Sequence, residues 1–106
     1  MSNNMVISIS WEDVKLILGK KRLKELQEML KSNSCSGCQR IESATQVIHK
    51  IWLNHIGDII IDGWCKDCGG KLSTYFEASN YPGSYDQAMS IRELKIEVLK
   101  DYEVRL

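Results

Sequence analysis

The stretches "CSGC" at residues 35–38 and "CKDC" at residues 65–68 hold every cysteine of a 106-residue chain, in two identically spaced pairs. A Cys-x-x-Cys turn brings two sulfurs close enough to share one metal ion, and two such turns can complete a tetrahedron around it. No other feature restricts the fold as strongly, because the chain must then bring residue 65 back to residue 38. The 106 residues are one domain's worth, residues 1–106, near the size at which an added staple helps a modest core.

The opening stretch "MSNNMVISIS" lacks the basic start and apolar run of a secretory leader. No stretch approaches the roughly 20 apolar residues of a membrane span. The expectation is a cytoplasmic, intracellular protein with no membrane partner. In that reducing setting paired thiols point to metal binding or redox chemistry ahead of structural disulfides.

Between the pairs, "TQVIHKIWL" and "DIIIDGW" are rich in β-branched and aromatic residues and are separated by "NHIG", which reads as a hairpin. The second run is apolar enough for burial on both faces. After the second pair, "KLSTYFEA" sets Leu72, Thr74 and Phe76 against Ser73, Tyr75 and Glu77, the alternation of a third strand. The hairpin consumes most of the 26 residues between Cys38 and Cys65 and so returns the second turn to the first. One structural zinc on Cys35, Cys38, Cys65 and Cys68 is the leading assignment. Iron of the rubredoxin type would use the same four sulfurs. A CxxC redox switch is the third account, but such a pair wants a helix N-terminus beside a parallel sheet, and here each borders strand or loop.

Two cysteine knuckles, a hairpin between them and a strand after them resemble a zinc ribbon. The resemblance covers residues 35–78 and leaves a helix outside it at each end. The second knuckle, "CKDCGG", has Gly69 after its last cysteine, as such knuckles commonly do, since a left-handed backbone there lets amides turn toward the sulfur. The first, "CSGCQ", departs from that pattern with Gln39, although Gly37 lies inside its loop. The fold expected is α+β: a three-stranded antiparallel zinc ribbon flanked by N-terminal and C-terminal amphipathic helices.

Ser10 and Asp13 have capping-box spacing, and Ile9 and Val14 the spacing of a hydrophobic staple, so a helix is expected over residues 11–31. Its apolar positions form two rows, Trp11, Val14 and Leu18 in one and Leu16, Leu23, Leu26 and Leu30 in the other. Gly19 lies between its halves as a bend or break. "SNYPGSYDQAM" reads as a loop turning at Pro82-Gly83. Ser90 with Glu93, and Met89 with Leu94, then repeat the start signals of a helix over residues 90–103, with Ile91, Leu94, Val98, Leu99 and Tyr102 on one face.

A zinc held by four thiolates has no coordination position left for water or substrate. His49 and His55 belong to no recognisable constellation, and no phosphate loop, nucleophile elbow or HExxH occurs. The chain is therefore expected not to be an enzyme, and its work is expected to be binding. Its formal net charge is zero, with +3 over residues 1–40 and −3 over residues 41–106, which gives no whole-molecule attraction to nucleic acid. The ribbon resemblance implies a regulator or adaptor contacting a protein of the transcription or other nucleic-acid machinery. Trp11 and Tyr81 are candidate interface anchors, while Trp52 and Trp64 are expected in the core, Trp64 shielding the metal. The alternative is direct DNA or RNA contact through Lys15, Lys20, Lys21, Arg22 and Lys24. Against it stands a plain solvated helix face balanced by Glu25 and Glu28. The heptad spacing of Leu16, Leu23, Leu26 and Leu30 also admits a homodimer through the first helix.

Overall fold

The structure, a computed structural model, describes residues 5–32, 46–66 and 68–105. The fold is α+β, with strand β1 (Ile7–Ile9), helix α1 (Trp11–Ser32), strands β2 (Gln46–Leu53), β3 (Ile59–Cys65) and β4 (Lys71–Phe76), and helix α2 (Pro82–Arg105). The sheet is antiparallel throughout, in the order β1-β2-β3-β4. It has four strands where three were expected. The additional one comes from "VISIS", whose Ile7 and Ile9 alternate with serines and point inward.

One face of the sheet carries the core. Ile7, Ile9, Ile51, Leu53, Ile59, Ile61 and Phe76 point to it, and Val14, Ile17, Leu18 and Leu26 of α1 close over them with Ala88, Ile91 and Ile96 of α2. Strand β3 was expected to be buried on both faces, but its burial alternates and Ile60 and Asp62 are only half-covered. Both helices pack on the same side of the sheet, so the outer face has no second layer among the described residues.

Helix α1 begins as its sequence dictates. The Ser10 amide donates to Asp13 Oδ2 at 3.0 Å and the Asp13 amide donates to Ser10 Oγ at 3.1 Å, a reciprocal box. Lys95 of α2 adds an ion pair to the same Asp13 oxygen at 3.1 Å. Partial burial pushes the Asp13 carboxyl up, but the Ser10 amide, the hydrogen bond and charge of Lys95, and the Ser10 hydroxyl outweigh it and hold the group below its ordinary value. This contribution is present above the ordinary Asp range and is lost as pH falls through the lowered value. Ser10→Ala should cost about 1 kcal/mol. The stability gap between wild type and Asp13→Asn should shrink on acidification, read from urea midpoints at neutral and low pH.

At Gly19 the backbone takes φ 72° and ψ 176°, which no helix allows, and α1 divides into two pieces there. The break leaves Trp11, Val14, Leu16 and Leu18 on its N-terminal side and Leu23, Leu26 and Leu30 on its C-terminal side. Val14 and Leu18 are buried and Trp11 packs on the core, while of the second row Leu26 is fully buried, Leu23 and Leu30 are partly covered, and Leu16 is 64% exposed. Most of the surface on which a homodimer through the first helix would rest is thus spent within the chain.

Helix α2 starts eight residues earlier than the expected residue 90, at Pro82. Proline at the first helical position has its φ preset and loses no needed amide bond. The Tyr81 carbonyl accepts the Tyr85 amide at 2.9 Å and opens the helix, so "PGSYDQAM" is helical and Ser90 lies inside it as an exposed residue. The expected apolar stripe is also revised. Ile91 is buried, but Leu94 and Val98 are 63% and 66% exposed, and the covered row is Ser84, Ala88, Ile91, Arg92 and Ile96. The side chains of Leu99 and Tyr102 lie outside those described.

The β2–β3 turn is tied to the rest of the sheet through a buried carboxylate. Asn54 Oδ1 accepts the Ile56 and Asp58 amides at 3.2 and 2.8 Å, closing the turn from within. Asp58 then accepts from Tyr75 Oη at 2.6 Å and from the Ser79 amide at 2.9 Å. The hydrogen bond to Asp58 raises the Tyr75 pKa, which keeps the phenol protonated and donating.

Candidate metal centre and surrounding surfaces

The Cys65–Cys68 pair occupies the tight connection between β3 and β4. Cys65 ends β3 on the inward face and is 1% exposed, whereas Cys68 is exposed. The Cys65 amide donates to Gly70 O at 2.7 Å, the Gly69 amide to Cys65 O at 2.8 Å, and the Gly70 amide to Cys68 Sγ at 3.3 Å. Gly69 has φ 75°, the left-handed conformation expected of it. The pair lies in a strand-to-strand turn, away from any helix N-terminus.

Nothing lies within 4 Å of a Cβ added at Gly69, so an alanine there meets backbone strain alone. The left-handed region costs a non-glycine residue about 1–2 kcal/mol. Gly69→Ala should therefore cost about 1–2 kcal/mol of stability, read from urea midpoints, without abolishing folding.

Cys35 and Cys38 lie outside the described residues. Among the described residues no group of three or more His, Cys, Asp or Glu side chains converges on a point. The sheet register does fix where the chain enters β2, because Gln46 stands opposite Cys65. His49 sits at the β2 irregularity between Ile48 and Lys50, exposed, with its ring 5.5 Å from that of Trp64, and His55 is exposed in the turn.

The tryptophans differ from expectation. Trp64 lies on the outer face of the sheet and is 40% exposed, because the residue before an inward-facing Cys65 must point outward. Trp52 shares that face and is half-buried, its Nε1 donating to Asp62 Oδ2 at 3.1 Å. Trp11 and Tyr81, proposed as anchors, instead pack against the core. Tyr81 is stacked near Phe76, and the Arg22 guanidinium lies 3.6 Å from its ring centroid.

The basic cluster divides into engaged and open members. Arg22 also donates to Glu25 at 2.8 Å, and Lys15 pairs with Glu12 at 3.3 Å. Lys20, Lys21 and Lys24 are exposed, with Lys20 and Lys21 directly after the Gly19 break and facing a shallow hollow shared with Pro82 and Gly83. The residues that sequence reasoning passed over are Met5 and Val6, exposed and gathered along one groove beside β1 with Leu94 and Val98, which were expected on the covered face of the last helix. Their signal was the alternation in "VISIS", which marks a strand and hence a sheet edge.

Among the described residues, no helix is long and apolar enough to cross a membrane. No family model matches the chain, and no curated protein or solved structure matches it.

Proposed function

We propose that this chain is a non-enzymatic zinc-binding scaffold that contacts a partner protein, with one structural zinc held by Cys35, Cys38, Cys65 and Cys68. The observation that carries this reading is the Cys65–Cys68 turn, in which a left-handed Gly69 allows the Gly70 amide to reach Cys68 Sγ at 3.3 Å. The strand register supports it as well. Cys38 precedes Gln46, the residue opposite Cys65, by eight positions, a length of chain that spans at most about 28 Å. When bound, the ion would crosslink two distant turns and offer no open position for a reactant. The resemblance to zinc ribbons makes a protein of the transcription or other nucleic-acid machinery the first partner class to test.

Elemental analysis of freshly purified protein should give one zinc per chain, with colourless material excluding iron. Neither metal in stoichiometric amount would overturn the reading. Direct nucleic-acid binding through Lys20, Lys21 and Lys24 is the second reading, favoured by their exposure. On that reading Lys20→Gln and Lys21→Gln should each reduce the salt slope of DNA or RNA binding by about 1 without altering the melting temperature. No detectable affinity at low ionic strength would remove it.

A further inference from the structure

We propose that the open edge of β1 and the apolar groove beside it receive an extended segment of a partner protein, which joins the sheet as a new edge strand with apolar side chains at alternate positions. The proposal rests on the reading of the chain as a partner-binding protein and is independent of its metal. Among the described residues β1 is paired on one side only, by β2. A groove of about 660 Å³ is bordered by Met5, Val6, Ile7 and Ser8 and walled by Leu16 of α1 and by Leu94 and Val98 of α2. These three wall residues are among the most exposed large apolar side chains described. Such a concentration on a small protein marks an interaction surface.

Charge and main-chain chemistry select the occupant. The charged residues of the groove, Asp13 and Lys95, are paired with each other at 3.1 Å, leaving no net charge to attract a phosphate or a charged peptide. The complement is therefore uncharged and apolar. Four consecutive residues of β1 and its approach line the groove, and a strand paired on one side only leaves main-chain groups of its other edge to be satisfied. A helix laid there would bury those groups without partners, whereas an extended segment pairs with them. Spacing agrees: Leu94 and Val98, one helical turn apart, are separated by about 6 Å along the axis, close to the roughly 6.7 Å between same-side residues of a strand.

The test uses the full chain with its native metal content and a short synthetic peptide alternating Val or Leu with Ser, carrying a fluorophore. Two further versions have N-methyl groups on one or the other set of alternate amides. Saturable binding is expected by fluorescence anisotropy, weakened about tenfold by Leu94→Ser or Val98→Ser. One N-methylated version should fail to bind while the other binds normally. Because both side chains are exposed, these variants should melt like the parent, which separates lost binding from lost folding. No saturable binding, equal binding by Leu94→Ser, or indifference to both N-methylations would overturn the proposal. So would a dimer in sedimentation that Leu94→Ser dissolves, making a second copy the occupant, or peptide binding that appears only on deleting residues 1–4. Peptide binding by a chain without metal would count against the zinc reading alone.

Discussion

Cys65→Ser should unfold the hairpin end of the sheet and release the proposed zinc, the largest effect expected of any single substitution here. Structural zinc contributes on the order of 10 kcal/mol in small zinc domains, and Cys65 is also 1% exposed, so a serine adds a buried hydroxyl to the lost ligand. Cys68→Ser separates the two contributions because Cys68 is exposed. With zinc bound, Cys68→Ser should be almost as damaging as Cys65→Ser. Without zinc, Cys68→Ser should fall within about 0.5 kcal/mol of the parent, while Cys65→Ser still costs about 1–3 kcal/mol. Urea unfolding of both variants and of the parent, with and without a chelator, distinguishes the cases. A parent indifferent to chelator and a harmless Cys68→Ser would together sink the metal assignment.

Arg92→Met should cost about 2–4 kcal/mol, because it removes the donor to the buried Leu53 carbonyl and the part-buried Met5 carbonyl. Arg92 is 3% exposed, and its Nη1 donates to Met5 O at 2.8 Å and to Leu53 O at 3.2 Å. Burial lowers its pKa, but a guanidinium keeps its charge in a protein. The two carbonyls belong to the chain entering β1 and to the end of β2, strands that pair Ile7 with Leu53. One side chain thus clamps the sheet edge to α2. Arg92→Lys should recover only part of the loss, since an ammonium is more strongly hydrated than a guanidinium and costs more to bury. Hydrogen exchange should show Ile7–Ile9 losing protection before the β2–β3–β4 strands. A methionine variant with an unchanged urea midpoint and unchanged exchange would refute this role.

Where local chemistry decides structure, the sequence was readable. Ser10 and Asp13 cap α1 in the manner their spacing implies, Gly19 breaks it, and Gly69 takes the left-handed turn after the second knuckle. Where tertiary packing decides, it was less so. Pro82-Gly83 has the composition of a turn, yet Pro82 is equally suited to open a helix, and the choice depends on Ser84 and Ala88 finding the core. Leu94 and Val98 share helical spacing with Ile91, but the direction of α2 over the sheet sends them to the groove. Strand β1, with three residues, is too short for periodicity to separate from noise without its partner β2. The Trp64 reading failed on parity: a neighbour of an inward cysteine on a strand points outward whatever its hydrophobicity. Of the four proposed ligands, Cys65 and Cys68 are described, in a turn with a left-handed Gly69, while Cys35 and Cys38 lie outside the described residues.

The Arg92 clamp also bears on the order in which the molecule can assemble. Its acceptors stand 87 and 39 positions away along the chain. A nascent polypeptide emerging from its N-terminus therefore exposes Met5 and the isoleucines of β1 long before the guanidinium that secures them has been synthesised. Contacts of such separation form slowly, so the first strand is expected to be the last part of the sheet to lock.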